Sequence, residues 1–240
     1  MELGFFESRA RAQAAIAAGL VVADGEQVAK ASQLLAEAAA ITATPAHPYV
    51  SRGGLKLAAA LDHFGLSPER LACLDCGAST GGFTDVLLRR GAASVIAVDT
   101  GHGQLHPSLC GDGRVTLLEG TDIRTLEPSA LASLPAFIVC DVSFVSLTLV
   151  LPALSRLAAQ AATLIVLIKP QFEVGRAAIG KGGIVRDESA TAMALARIET
   201  AVAALGWRCL GRIDSPIVGG DGNAEYLLAA DRKAPGHGPA

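Results

Sequence analysis

Short apolar segments, each of a length that fits one buried strand, recur from residue 71 onward and alternate with helical patterns. Such alternation is typical of a doubly wound, mostly parallel α/β sheet with helices on both faces. Apolar residues make up 51% of the chain but aromatic residues only 4%, as expected for buried aliphatic strands covered by Ala-rich helices. The predicted strands span residues 71–76, 94–99, 115–119, 137–141, 163–169, 207–215 and 225–230.

The last two strands and the flanking helices complete the predicted topology of this region. The last two predicted strands are too close in sequence for a helix between them, so we expect a hairpin with the final strand antiparallel. Helices are predicted over residues 55–64 and 187–205. The pattern therefore predicts a Rossmann-like, seven-stranded sheet with an antiparallel last strand.

The first 43 residues have a different pattern. A helix is predicted over residues 7–18, followed by a hairpin of residues 20–23 and 26–30 and a short strand over 38–43. Asp24-Gly25 is typical of a type I′ hairpin turn. We expect a small α+β domain over residues 1–43, a Pro-containing linker over 44–48, a main domain over 49–233 and a disordered tail over 234–240.

Composition and charge exclude several classes of protein. No apolar stretch approaches the roughly 20 residues of a membrane span, and the N-terminus lacks a signal-peptide pattern, so we expect a soluble cytoplasmic protein. The five cysteines are scattered, which favours reduced thiols, and neither they nor His102 and His106 indicate a metal site. The net charge of −3 argues against a strongly basic nucleic-acid binder, although residues 169–186 carry four basic side chains and one acidic.

A Gly-rich turn follows the first predicted strand, where sheets of this kind bind ligands. Its spacing is not that of the dinucleotide motif. The acid before the turn, Asp75, and the acid closing the next strand, Asp99, suit another ligand. Asp99 can bind the two ribose hydroxyls of an adenosine while the turn holds a zwitterionic amino-acid tail, which together describe S-adenosylmethionine.

A hydrolase is the rival interpretation of the same turn. Residues 77–81 formally match the G-x-S-x-G nucleophile elbow, and Ser79, Asp141 and His237 follow the chain order of a catalytic triad. His237, however, lies in a Gly/Pro tail where nothing would hold it. The sequence also lacks an oxyanion-hole segment upstream.

Four charged residues interrupt otherwise apolar patterns. Asp141 and Lys169 end the fourth and fifth predicted strands, Lys56 lies in the first helix of the main domain and Glu225 begins the last strand. The carboxyl ends of parallel strands share one rim, so we expect Asp141 and Lys169 beside the Gly-rich turn.

These segments resemble the TlyA family of ribosomal RNA 2′-O-methyltransferases, often called haemolysins, whose catalytic domain is of the FtsJ type. The resemblance covers about 180 residues in the family's order. It is carried by YVSRGGLKL (49–57), LDCGASTGGFTD (74–85), VDTGHGQL (98–105), CDVSFVSL (140–147), IKPQFE (168–173) and GNAEYLL (222–228).

The resemblance implies an S-adenosylmethionine-dependent enzyme that methylates a ribose 2′-hydroxyl, of cytidine in 16S or 23S ribosomal RNA or both. It implies a catalytic tetrad of Lys56, Asp141, Lys169 and Glu225. A lysine in a partly desolvated crevice can remove the hydroxyl proton, and we expect Lys169 to be that base. The expected cofactor-binding residues are Asp75, Gly77, Ser79, Thr80, Gly81, Gly82, Phe83, Thr84, Asp99, Thr100, Asp122 and Asp141.

The family places an S-four-type RNA-binding domain before the catalytic domain, and the first residues resemble its second half. Its opening helix, with an Arg-Leu-Asp start, is not found here, so we expect a partial domain. The expected RNA contacts are Arg9, Arg11, Arg52, Arg176, Lys181 and Arg186. Ribosomal RNA or a ribosomal subunit is the expected partner, for a monomer or a homodimer. A non-catalytic RNA-binding or ribosome-assembly protein and a membrane-active haemolysin are the alternatives.

Overall fold

The computed structural model describes residues 4–6 and 8–233. The chain divides into two compact units, residues 1–48 and 49–240. The predicted tail, residues 234–240, and His237 within it lie outside the described residues. Residues 1–3 and residue 7 also lie outside the described residues. Residue 7 is the first residue of the predicted helix over 7–18.

The first unit contains one helix and a three-stranded antiparallel sheet. Helix α1 (Arg9–Ala17) begins after Ser8, whose Oγ accepts a hydrogen bond from the backbone N–H of Arg11. The strands β1 (Val21–Ala23), β2 (Glu26–Gln27) and β3 (Ile41–Ala43) lie in the order β2-β1-β3. Strand β3 is shorter than predicted because residues 36–39 form a turn before it. A small core lies beneath the sheet (Ala15, Val21, Ala23 and Val28).

The second unit contains the predicted seven-stranded sheet. Its strands are β4 (Ala72–Cys76), β5 (Ser94–Val98), β6 (Val115–Leu118), β7 (Phe137–Cys140), β8 (Ala162–Ile168), β9 (Arg208–Asp214) and β10 (Tyr226–Arg232). The helices are α2 (Gly53–Phe64), α3 (Gly82–Arg89), α4 (Pro107–Cys110), α5 (Leu147–Leu157), α6 (Pro170–Glu173) and α7 (Glu188–Ala204). Short 3₁₀ turns occupy Ile123–Thr125, Pro128–Ala130, Arg176–Ala178 and Lys181–Gly183.

The strand order is β6-β5-β4-β7-β8-β10-β9, which confirms the doubly wound, Rossmann-like fold. Strands β4 to β8 pair in parallel, and β10 lies antiparallel between β8 and β9. The final strand is therefore antiparallel, as predicted, and it pairs with two neighbours. The chain order reverses between β4 and β7, and the crevice at such a point is where open α/β sheets bind ligands.

Two apolar clusters cover the two faces of this sheet. Helices α2 and α3 pack on one face with Leu57, Leu61 and Leu87, and helices α5 and α7 pack on the other with Leu151 and Ile198. The strands end one residue earlier than predicted, at Val98, Cys140 and Ile168. The charged residue after each strand, Asp99, Asp141 or Lys169, therefore lies in a loop at the carboxyl rim. Within the described part of the chain, no helix is long and apolar enough to cross a membrane.

Candidate active site

The Gly-rich turn after β4 packs tightly against the end of β7. Gly77 has a φ of +82°, and a Cβ at that position would lie 2.3 Å from the carbonyl oxygen of Asp141. A side chain is thus excluded on two grounds, backbone strain and lack of space. The close approach brings the turn and the Asp141 loop together at the switch point of the sheet.

Asp75 lies beneath this turn and is fully buried. Its Oδ2 accepts a 2.7 Å hydrogen bond from the Thr84 hydroxyl, while Oδ1 has no hydrogen-bond partner among the described residues. Burial raises the pKa of Asp75 from 3.8 to about 7, and the nearby Asp141 carboxylate adds to the rise. Asp75 and Thr84 therefore support the turn from within the protein.

A cavity of about 510 Å³ opens at the switch point, and we call it the switch-point cavity. This volume falls within the range of small-molecule sites. Of the twelve residues expected to bind the cofactor, half line it: Gly77, Ser79, Asp99, Thr100, Asp122 and Asp141. Asp75, Gly81 and Thr84 line neither this cavity nor the one beside it, whereas Thr80, Gly82 and Phe83 line the neighbour.

Two carboxylates in the switch-point cavity are held in different ways. Asp99 accepts backbone N–H groups of Ser79 at 2.8 Å and Gly101 at 2.7 Å. A carboxylate has about four acceptor positions, so Asp99 keeps capacity for a diol. Asp122 is bound by the Arg124 guanidinium, with contacts of 2.9 Å to Oδ1 and 2.5 Å to Oδ2, and this pairing lowers its pKa.

A second cavity of about 320 Å³ shares Gly77, Ser79, Asp141 and Ser143 with the first, and we call it the lysine cavity. Both Lys56 and Lys169 line it, together with Arg52. Glycines bring the elements around it close together. A Cβ on Gly82, at the start of α3, would lie 2.2 Å from the Ser51 Oγ and 3.1 Å from the backbone nitrogen of Gly54. The start of α2, which carries Lys56, can approach the Gly-rich turn for this reason.

The four predicted catalytic residues form two ion pairs. Lys56 binds Glu225, and both side chains are nearly buried, at 10% and 3% exposure. Lys169 Nζ lies 2.6 Å from Asp141 Oδ1, with side-chain exposures of 11% and 21%. Among the described residues no hydrogen-bond donor is aligned with Asp141 Oδ1, so this second contact is an ion pair rather than an aligned hydrogen bond. The aligned hydrogen bond of Lys169 runs instead to Ser143 Oγ, at 2.8 Å.

The predicted RNA-contacting residues are spread over the chain. Arg52 lines the lysine cavity, and Arg186 lines a separate cavity of about 650 Å³ beside α7. Arg176 and Lys181 are exposed on the 3₁₀ turns that follow α6. In the first unit, Arg9 is exposed on α1 and Arg11 is half-buried.

The rival hydrolase interpretation depends on Ser79, whose surroundings contradict it. The Ser79 hydroxyl donates a 3.1 Å hydrogen bond to the side-chain oxygen of Gln104. Gln104 carries an amide, which cannot act as the base that a serine nucleophile requires. Sequence reasoning missed both Gln104, which lines the switch-point cavity, and Ser143, which lines both cavities. Each lies within a segment quoted for the family resemblance, and that was the available signal.

The sheet order and the cavity at its switch point are typical of the Rossmann-like fold of methyltransferases that use S-adenosylmethionine. Solved methyltransferases with only 11% and 13% identity share this fold, with TM-scores of 0.57 and 0.53 over 76% of the chain. The family model for FtsJ-like methyltransferases matches residues 49–232. The chain belongs to that family and, within it, to the TlyA group.

The similar proteins cover nearly the whole chain. The 16S/23S rRNA (cytidine-2′-O)-methyltransferase TlyA of Mycobacterium tuberculosis is 43% identical over 94% of this chain and 85% of its own length. Hemolysin A of Brachyspira hyodysenteriae is 40% identical, covering 93% of this chain and 94% of the relative. The solved structure of a hemolysin-like protein from Streptococcus thermophilus has a TM-score of 0.78 at 42% identity, covering 97% of this chain and 86% of that one.

The residues of the switch-point cavity fit the methyl donor. The Asp99 carboxylate suits a ribose diol, and Gly77 lets the turn pack directly against the Asp141 backbone at the edge of the cavity. Val98, Ile123 and Val150 give the cavity the apolar surface that an adenine ring requires.

Proposed function

We propose that this protein transfers the methyl group of S-adenosylmethionine to the 2′-hydroxyl of a ribose in ribosomal RNA, with Lys169 as the base. The observation that carries the proposal is the shared wall of the two cavities. The switch-point cavity would hold the donor and the lysine cavity the ribose, so that the two meet at Asp141 and Ser143. By similarity to the Mycobacterium tuberculosis relative, a cytidine in 16S or 23S ribosomal RNA is the expected acceptor.

The bound donor supplies a sulfonium methyl carbon that is open to in-line attack by an oxygen. A ribose hydroxyl is a weak nucleophile until its proton is removed. Lys169 lines the lysine cavity at its junction with the switch-point cavity and would take that proton, so the positive charge lost from the sulfonium reappears on the lysine. Asp141 then faces the newly formed ammonium and stabilises it.

The buried pair of Lys56 and Glu225 would have a different task. Its ammonium lines the lysine cavity but is tied to a carboxylate that is almost fully buried. We assign Lys56 to orienting the ribose or its phosphate. Held in place by both pairs, the hydroxyl would need little reorganisation before attack, and such positioning supplies much of an enzymatic acceleration.

Capture of the RNA would depend on the basic side chains outside the two ion pairs. Arg52 at the lysine cavity and the exposed Arg176 and Lys181 are suited to phosphate contacts, whose strength is electrostatic. We assign the first unit, with Arg9 and Arg11, to the same task as a partial RNA-binding domain. An enzyme acting on ribosomal RNA would meet its substrate in the cytoplasm, and either a monomer or a homodimer could do so.

The test is methyl transfer from labelled S-adenosylmethionine to separated ribosomal subunits, followed by mapping of the modified ribose. We expect Lys169→Arg to lower kcat by about 10²–10⁴-fold, because a guanidinium keeps the charge but cannot give up its proton. Binding of the cofactor should change less than about twofold. Lys233→Arg, an exposed lysine beyond the far end of β10, is the matched control and should retain full activity.

Two results would overturn the proposal. Wild-type turnover in Lys169→Arg would exclude the lysine as the base. Cofactor binding without methyl transfer to either subunit would favour a non-catalytic RNA-binding protein.

A further inference from the structure

Ser143, like Asp141, lies where the two cavities meet and contacts the Lys169 ammonium. It follows Asp141 by two residues, lines both cavities and is exposed to them. Its Oγ accepts a 2.8 Å hydrogen bond from Lys169 Nζ. Neither the tetrad implied by the family resemblance nor the proposed function gives this serine a task.

The loop that carries Ser143 and the segment that follows Lys169 contact each other at two points. Phe144 directly follows Ser143, and Phe172 lies three residues after Lys169. The centres of their two rings are 5.1 Å apart. Further along, the buried Glu173 carboxylate accepts hydrogen bonds from the Ser146 hydroxyl and the Leu147 backbone N–H, each at 2.7 Å. Ser143 therefore sits at a fixed position relative to the lysine.

Two neighbouring oxygens fix the direction of the lysine nitrogen. Asp141 Oδ1 lies 2.6 Å from Nζ in an ion pair, and Ser143 Oγ accepts the aligned 2.8 Å hydrogen bond, which takes one of the three directions that a terminal amine offers besides its own carbon. The other directions of the amine remain for the Asp141 ion pair and for the lysine cavity, which Lys169 lines. We infer that Ser143 is a positioning residue, which directs the lone pair of neutral Lys169 at the ribose hydroxyl.

This inference rests on the proposed function, in which Lys169 is the base. In neutral Lys169 one of the two remaining N–H groups donates to Ser143 Oγ, and the lone pair accepts the ribose proton. After the transfer the same nitrogen carries three N–H groups and the Ser143 hydroxyl keeps its own proton. Ser143 thus exchanges no proton and forms no bond to the substrate; its contribution is the angle at which Lys169 acts.

The experiment compares Ser143→Ala with Ser143→Thr in the methyl-transfer assay on ribosomal subunits. We expect Ser143→Ala to lower kcat by about 10–100-fold, the range expected for a misaligned reacting group, while KM for RNA and Kd for the cofactor change less than about twofold. Ser143→Thr restores a hydroxyl and should recover most of kcat. The matched control is Ser155→Ala at the far end of α5, where the hydroxyl accepts from Trp207 Nε1. It should lower thermal stability and leave kcat unchanged.

A double-mutant cycle shows whether Ser143 acts through Lys169. In the Lys169→Arg background, followed by single-turnover kinetics, Ser143→Ala should cause no further loss. Wild-type kcat in Ser143→Ala, a loss confined to KM, or an additional loss in the Lys169→Arg background would each overturn the inference. Wild-type kcat in Lys169→Arg alone would instead overturn the proposed base. The two failures are therefore distinguishable.

Discussion

The buried carboxyl of Asp75 should make the stability of the second unit depend on pH. Its pKa is raised to about 7 in the folded protein, chiefly by burial, against 3.8 for the ordinary group. A folded-state pKa above the unfolded value stabilises the fold at low pH, and that stability is lost as the pH rises from about 4 through about 7. Above pH 7 the folded protein must hold a buried carboxylate that water would solvate in the unfolded chain.

The size of the effect follows from these two pKa values. A tenfold change in an acidity constant corresponds to about 1.4 kcal/mol. The rise in the pKa of Asp75 from 3.8 to about 7 therefore lowers the free energy of unfolding at high pH by about 4 kcal/mol relative to low pH. Between pH 5 and pH 8 the measurable part is about 3 kcal/mol, because some of the loss has occurred by pH 5. Asp75→Asn should remove this dependence, since an amide oxygen can still accept from the Thr84 hydroxyl without ionising.

The assay is urea denaturation at several pH values, followed by the fluorescence of Trp207. This residue is the only tryptophan in the chain and is buried in the second unit. We expect the free energies of unfolding of wild type and Asp75→Asn to diverge by about 3 kcal/mol between pH 5 and pH 8. Asp62→Asn, at an exposed carboxylate paired with Arg90, is the control and should follow wild type. Parallel curves for wild type and Asp75→Asn would refute the reasoning.

Two further substitutions test the turn and the RNA-contacting surface. Gly77→Ala should destabilise the second unit by about 1–3 kcal/mol and weaken cofactor binding, because Gly77 has a positive φ and no room for a Cβ. Thermal denaturation with and without cofactor measures both effects. Gly113→Ala, at a glycine with open space and without a positive φ, should change neither. Arg52→Gln should weaken RNA binding and reduce the slope of log K against log salt by about 1, as loss of one phosphate contact predicts; an unchanged slope would exclude that contact.

The seven-stranded fold could be predicted because its signals are local. Each strand is a short apolar segment between turn residues, and the interval between β9 and β10 is too short for a helix. The position of β10 between β8 and β9 was not specified by the pattern, because strand order depends on contacts between segments that are distant in sequence. Pairing of Tyr226 with Ile168 and with Asp214 satisfies both edges of the last strand at once.

The sequence singled out residues that the structure places around the two cavities, but not their arrangement. Lys56 and Glu225 are 169 residues apart, and no spacing rule joins them. Asp122 was expected at the cofactor, and its pairing with Arg124, only two residues away, was overlooked. Ser143 was missed because serine is common in loops for many reasons. Only the position of Lys169 Nζ shows what the Ser143 hydroxyl contacts.

The two ion pairs are not interchangeable, and their difference supports Lys169 as the base. Glu225 is 3% exposed, so loss of the Lys56 proton would leave a buried carboxylate without a counter-charge, a state that costs several kcal/mol. The Asp141 side chain is 21% exposed, so its carboxylate is more open to water than that of Glu225 while Lys169 is neutral, although Oδ1 itself is buried. Lys169 also has a neutral partner in Ser143, whose hydroxyl can hydrogen-bond either an amine or an ammonium. A lysine that must alternate between two protonation states needs such surroundings, whereas a lysine that only orients the substrate is best kept charged by a buried carboxylate.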